Sequence, residues 1–253
     1  MSNIAAAASS RAQSSAGPTV ADIRSSGRVR IGIGLVPTFA TKDAETGELR
    51  GIAIELGRAL AERLGVELVP VTYPSPANLL DALRAGAFDI AFLGIDPVRE
   101  KVMDFSVPYL QVDSTLLAAP GLDRPTVEDL DRPGVRIAAT RNSIEDFALT
   151  RLLRAAEIVR VDSSLAGLAA LTSGDVSAVA VPRPVAIVFS ERVPGSRVLD
   201  DRYAVALHAL AVPKGSSDLL RSIDEFMIEA KRSGLVERAI ERAGLRGAQM
   251  APG

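Results

Sequence analysis

The sequence predicts an α/β protein made of two similar units, and three observations carry that expectation. Short, wholly apolar runs such as Ile90-Ala91-Phe92-Leu93 alternate with stretches of helical period, the pattern of parallel strands buried between crossover helices. Residues 80–94, LDALRAGAFDIAFLG, align without gaps on residues 168–182, LAALTSGDVSAVAVP, and each copy reads as helix, glycine, turn and strand. Arg99 follows the first copy and Arg183 ends the second, so both cations stand beyond a strand's carboxyl end, where ligands of open α/β sheets sit. Helix-glycine-strand recurs in any α/β chain, so it is these neighbours that make the repeat informative.

Each element follows in order. The opening MSNIAAAASSRAQSSAGP is small and polar, and residues 1–19 read as a disordered tail. It lacks the cationic start and long apolar core of a secretory signal, so a cytoplasmic location is expected as encoded, or a periplasmic one if the true start or leader is missing. Val20 to Ser26 reads as a helical turn and RVRIGIGL, residues 28–35, as a half-buried strand, before a loop through Lys42, Asp43 and Gly47. Ile52, Leu56, Leu60 and Leu64 share one helix face, and Gly65 closes that helix before a strand at 66–71. Pro74 and Pro76 break the chain, residues 77–85 form a helix ended by Gly86, and the strand holding Ile90 comes next. In the second unit a strand at 135–139, a helix at 143–155 and a strand at 158–161 precede the second copy. A strand at 209–212 and one long amphipathic helix at 217–242, with Leu219, Leu220, Ile223, Phe226, Met227 and Ile228 on its apolar face, close the chain. That helix is expected to pack on the first unit, which makes the unit discontinuous and leaves two crossings.

Composition excludes several functions. A chain of 253 residues fits one large domain or two small ones. A net charge of −2 with interspersed signs, and no basic cluster interleaved with aromatics, argues against a nucleic-acid partner. With no cysteine there are no disulfides, thiol chemistry or cysteinyl metal sites. His208, the one histidine, lies in an apolar strand, where a structural role outweighs a triad or a metal site. No apolar run reaches membrane-spanning length, so no membrane insertion is expected. Gly32-Ile33-Gly34 lacks the third glycine of a dinucleotide fingerprint, with Pro37 in its place, and no P-loop, calcium loop or zinc motif is present. No cofactor is expected.

Arg99 is the sharpest candidate for a binding residue. Asp96 followed by Pro97 reads as an N-cap with proline at the first helical position. Arg99 then sits in the first turn, where a cation opposes the macrodipole and gains nothing locally. Either it answers an anion held at the helix N-terminus by free N–H groups and the guanidinium fork, or it pairs on the surface with Glu100 or Asp104.

Over residues 20–244 the motifs run in a recognisable order: GRVRIGIG, then TFATKDAETGELRGIAIELGRALAERLGV, then ALRAGAFDIAFLGIDPVREKVMDFSVPY. PGVRIAATRNSIEDF, ALTSGDVSAVAVPRPVA and VPKGSSDLLRSIDEFMIEAKRSGLVERAI complete it. The chain resembles family 3 of the bacterial solute-binding proteins, the receptors that deliver polar amino acids to ABC transporters. The resemblance implies a two-lobed type II periplasmic-binding-protein fold, each lobe a mostly parallel sheet flanked by helices, with two hinge strands closing on the ligand. It implies a first lobe of residues 20–116 plus 209–247, a second of 117–208 and a tail of 248–253. By the same resemblance Arg99 clamps the ligand carboxylate, Ser143 holds it from a second-lobe helix N-terminus beside Asn142, Gly94 meets the ligand, and Phe39 supplies a wall.

The departures point to the ligand. Receptors of this family that bind amino acids carry an acid after the second-lobe strand to neutralise the ammonium, and this chain has Pro182 and Arg183 there. Burying an ammonium without a partner costs on the order of several kcal/mol, so a small carboxylate, either a dicarboxylate or another acid lacking an ammonium, is the expected ligand. Pro37 and Pro76 stand near positions of the usual aromatic sandwich, and Tyr73 is the available substitute. Arg141 replaces a small residue; Arg141 and Arg183 face either the cleft, giving three guanidinium groups with Arg99, or solvent. Closure on a small anionic organic ligand by a monomer, with an ABC-transporter permease as partner if exported, is the leading expectation. The resemblance extends to dehydratases on this fold, but their general acid falls here near Val185 and no carboxylate lies between Asp175 and Glu191. Glu145, Asp146 and His208 remain as proton carriers for an enzyme, and a cytosolic sensor or scavenger is the third reading.

Overall fold

The computed structural model describes residues 17–37, 39–74, 76–122 and 126–252. The first half contains α1 (Val20–Ser26), β1 (Arg28–Gly34), the hairpin β2 (Thr41–Lys42) and β3 (Leu49–Arg50), α2 (Ile52–Leu64) and β4 (Glu67–Tyr73). It continues with α3 (Pro76–Arg84), β5 (Ile90–Gly94), α4 (Pro97–Glu100) and β6 (Met103–Phe105). β7 (Leu110–Ala118) crosses to α5 (Val127–Leu130), β8 (Arg136–Thr140), α6 (Ile144–Leu152), β9 (Glu157–Val161), α7 (Ser164–Thr172), β10 (Ala178–Pro182), α8 (Arg183–Arg192) and β11 (Arg197–Val198). β12 (Ala204–Pro213) crosses back to α9 (Ser217–Arg232), α10 (Leu235–Arg242) and β13 (Ala248–Met250).

One sheet runs through both halves in the order β4-β1-β5-β12-β7-β10-β8-β9. Each half is parallel at its outer strands: β1 pairs with β4 and β5, and β8 with β10 and β9. The two crossing strands are antiparallel, to each other and to the halves they join. β12 pairs with β5, placing His208 opposite Gly94, and with β7 across 204–208. β7 pairs with β12 over 110–114 and with β10 over 114–118, so it changes partner at Ser114.

The local chemistry explains the elements. Ile52, Leu56, Leu60 and Leu64 are all buried along α2, and Gly65 ends the helix at φ 73°, a left-handed conformation that glycine adopts at low cost. Every residue of β5 is buried, because helices cover both faces. A large apolar cluster includes Leu56 of α2, Phe226 of α9, Val112 of β7 and Phe189 of α8, so the halves share a core at the crossing strands. Leu79, Phe88 and Leu93 belong to a second cluster, and Leu116, Ile137 and Leu149 to a third.

Two expectations are corrected. The single helix over 217–242 is broken at Gly234, whose φ of 72° no helix interior holds, and Ile228 is exposed rather than packed. The break lets α10 turn onto α2 while α9 packs on α1, α2 and β12. Residues 248–250 are no tail: they form β13, antiparallel to β7. Of the expected N-terminal tail, residues 1–16 lie outside the described residues, while Thr19 caps α1 by accepting from the Asp22 amide.

Candidate functional site

A cleft of about 100 Å³ lies between the halves, bordered by the carboxyl ends of β1, β5, β8 and β10 at Gly34, Gly94, Thr140 and Pro182. Ile33, Leu35, Phe92, Leu93, Ile144 and Val181 give it largely apolar walls. Few polar groups enter it, so each one weighs heavily on what it can hold.

Arg99 enters from α4 and is 2% exposed. Its Nη1 donates to the Gly94 carbonyl at 2.7 Å and its Nη2 to the Asn142 carbonyl at 2.7 Å, so the guanidinium ties the two halves together. The Phe147 ring lies 5.7 Å from its Cζ. Neither surface pairing forms: Glu100 is exposed, and Asp104 is taken by Lys214 at 2.6 Å. The four-residue α4 offers no open anion site either, because the Asp96 carboxylate accepts from the Val98 amide and fills that position. Asp96 is itself buried and meets Arg151 of α6 at 3.3 Å, a second link between the halves. Burial lowers the Arg99 pKa to about 10, with Asp96 and Glu145 acting in the opposite direction. Its Nε is occluded and has no partner.

The opposing wall is the start of α6. Asn142 adopts φ 57°, with its amide donating to Asp146 Oδ2 and its carbonyl accepting from Arg99. Ser143 caps α6, its Oγ accepting from the Asp146 amide at 3.1 Å. Ile144 packs so tightly on Gly94 that a Cβ added there would lie 2.7 Å from Ile144 Cγ1. Glu145 is 6% exposed, lines the cleft and accepts from Ser114 Oγ at 2.9 Å. Burial raises its carboxyl pKa, outweighing its own amide, Ser114, Ser143 and Arg99, which all lower it.

On β12, His208 lines the cleft with its ring centroid 5.1 Å from that of Phe39. The residue is half-buried, but its Nε2 is occluded and has no partner. Burial, with the Arg99 charge, pushes its pKa down to about 3, so the imidazole is neutral.

The structure brings Arg99, Gly94, Ser143 and Phe39 to the cleft, and Asn142 through the carbonyl that Arg99 holds. It does not bring in the other three. Arg141 is exposed and outside the lining. Arg183 donates to the Leu199, Asp200 and Asp201 carbonyls and approaches Asp113 at 3.8 Å, fastening the segment before β12. Tyr73 packs edge-on against Phe88 at 6.2 Å, leaving Pro74 at the wall. Of the two alternatives for Arg141 and Arg183, three guanidinium groups in the cleft is not the one found: among the described residues Arg99 alone lines it, and Arg183 meets carbonyls rather than solvent. Glu145 and His208 were named from the sequence only as candidate proton carriers, and Tyr109, Thr140 and Ser164, which also line the cleft, were not singled out. The signal for Glu145 was its place two residues after the capping Ser143, in the first turn of α6; for His208, its place on a strand that joins the halves.

Comparison with known proteins follows the same lines. The family described as bacterial extracellular solute-binding proteins, family 3, matches residues 29–244. The amino-acid-binding protein AabA of Dichelobacter nodosus is 23% identical over 198 residues, covering 76% of this chain and 78% of AabA. A cyclohexadienyl dehydratase of Pseudomonas aeruginosa is 34% identical over 124 residues, 47% of this chain and 46% of the enzyme. Among solved structures, the amino-acid transporter substrate-binding protein AbpA of Streptococcus pneumoniae, bound to L-arginine, superposes with a TM-score of 0.78 at 28% identity. That superposition covers 88% of this chain and 96% of AbpA.

Proposed function

Since the chain belongs to family 3 of the bacterial extracellular solute-binding proteins, we propose that it traps a small carboxylate-bearing solute between its two lobes, with Arg99 as the clamp. The observation that carries this reading is the buried Arg99 guanidinium, which lines the cleft, holds a carbonyl of each lobe and keeps an unpartnered Nε. A guanidinium has five N–H donors and two are used, so donors remain for a carboxylate. Closure then buries the anion among the apolar walls, as hinge proteins do.

The same polar groups speak to what the ligand lacks. Relatives are named for amino acids, and an ammonium needs a fixed negative partner. Here burial favours the neutral form of Glu145, and His208 is neutral. With Arg99 charged, that balance suits a carboxylate without an ammonium. Release to an ABC-transporter permease is the downstream step of this reading for an exported protein.

Isothermal titration with carboxylic acids and the corresponding amino acids tests it. Micromolar or tighter binding of an acid that Arg99→Met abolishes is the expected result; preferential binding of a neutral or cationic amino acid overturns the ammonium argument. A second reading, catalysis, draws on Glu145 as a buried acid of raised pKa and on the partial match to a dehydratase. Turnover of a cyclohexadienyl substrate that Glu145→Gln abolishes would establish it.

A further inference from the structure

Two buried nitrogens in this cleft have no hydrogen-bond partner, Arg99 Nε and His208 Nε2. Such atoms are uncommon in folded proteins, because an occluded polar group without a partner loses its hydration for nothing. Both residues line the same cavity. They are also neighbours through the sheet: His208 is paired with Gly94, and the Gly94 carbonyl accepts from Arg99 Nη1. Guanidinium and imidazole therefore share one part of the cleft, whose lining also holds Tyr109, Thr140, Ser143, Glu145 and Ser164 among its apolar walls. The tilted Phe39 ring fixes the imidazole plane.

We propose that His208 is a specificity-determining residue that reads an oxygen on the ligand carbon next to the carboxylate, so that the solute is a 2-hydroxy or 2-oxo acid with a short aliphatic body. The proposal rests on the carboxylate reading of Arg99 and narrows it. Both nitrogens are occluded with the lobes as they stand, so the contact requires the lobes to part first; a carboxylate then held on Arg99 Nε leaves its neighbouring carbon beside His208, and an oxygen there satisfies Nε2, which donates or accepts according to tautomer. Ile33, Leu35 and Val181 then surround an aliphatic remainder. The cleft volume of about 100 Å³ suits a remainder of a few carbons.

The experiment uses one carbon skeleton and changes only the group beside the carboxylate: isovalerate, 2-hydroxyisovalerate, 2-oxoisovalerate and valine, titrated calorimetrically into the full chain. The oxygen-bearing acids should bind about tenfold more tightly than isovalerate, the worth of one hydrogen bond to an otherwise orphaned group. His208→Phe, which keeps an aromatic ring against Phe39, should abolish the difference; His208→Gln, which returns a polar atom near the place of Nε2, should restore part of it. Equal binding of isovalerate and its oxygenated forms, or a preference that survives in His208→Phe, overturns the role of His208 and leaves the Arg99 reading standing. Tighter binding of valine overturns the assignment of the oxygen. If none of the four binds, and none of a wider set of acids does so in an Arg99-dependent way, both readings fall.

Discussion

Replacing Arg99 with methionine removes the guanidinium and keeps an unbranched apolar stem, which separates a ligand clamp from a structural strut. In the wild type two hydrogen bonds from a charged donor, each 2.7 Å long, contribute about 1.5–3 kcal/mol apiece. Against them stands the cost of burying the charge. The fall of the Arg99 pKa from 12.5 to about 10 corresponds to about 3 kcal/mol, at about 1.4 kcal/mol per unit. The two bonds together, about 3–6 kcal/mol, exceed that cost by about 0–3 kcal/mol, and water can solvate the freed Gly94 and Asn142 carbonyls once the lobes part. The ligand-free variant should therefore lose less than about 3 kcal/mol of stability. Binding has no such compensation. Removing one member of a buried, hydrogen-bonded charge pair costs about 2–5 kcal/mol, a loss of affinity between about thirtyfold and several thousandfold. Urea unfolding without ligand and calorimetric titration with it measure the two quantities separately. Affinity within about threefold of wild type, or a stability loss above about 5 kcal/mol, would refute the assignment and make Arg99 a strut between the lobes.

Four further substitutions test the surroundings. Gly94→Ala places a Cβ 2.7 Å from Ile144 Cγ1 in the opposite lobe, so it should weaken ligand binding about tenfold or more while ligand-free stability changes by under about 1 kcal/mol. Adding Ile144→Ala should return most of the affinity, a coupling that a double-mutant cycle reads. Glu145 has a raised pKa, so its protonated form favours folding: the contribution is fully present below its ordinary value of 4.5 and is lost as pH rises through the folded value. Glu145→Gln should accordingly raise the melting temperature at pH 8 and leave it nearly unchanged at pH 4; the opposite pH trend would show the carboxylate to be the favoured buried form. Gly51 has φ 120°, and a Cβ there would lie 2.4 Å from the Phe39 carbonyl, so Gly51→Ala should cost at least about 2 kcal/mol in urea unfolding.

Most of the secondary structure was legible because it rests on local chemistry. The apolar spacing of α2, the glycine after it and the Asp96-Pro97 start of α4 are read residue by residue, and each is found where those signals put it. The helix expected over 217–242 failed at one residue, since amphipathic period continues through Gly234 while backbone conformation does not. Part of the site was legible too: Arg99, Ser143 and Gly94 stand at strand ends and caps, and all three line the cleft. Side-chain direction was not. Arg183 and Arg99 occupy similar places after similar strands, yet Arg183 turns to the carbonyls of 199–201 and Arg99 turns inward.

By itself the sequence determined the alternation of strands and helices, the two related units and the arginine beyond the strand end, because periodicity, caps and glycines act within a few residues of themselves. The tertiary structure alone decided the contents of the cleft. Glu145 belongs to α6, His208 to β12 and Arg99 to α4, and they meet only because β7 and β12 hold the halves face to face. Burial then sets their charge, keeping the imidazole neutral and disfavouring the carboxylate form of Glu145. Desolvation depends on every wall of the cavity at once, and no spacing along the chain encodes it.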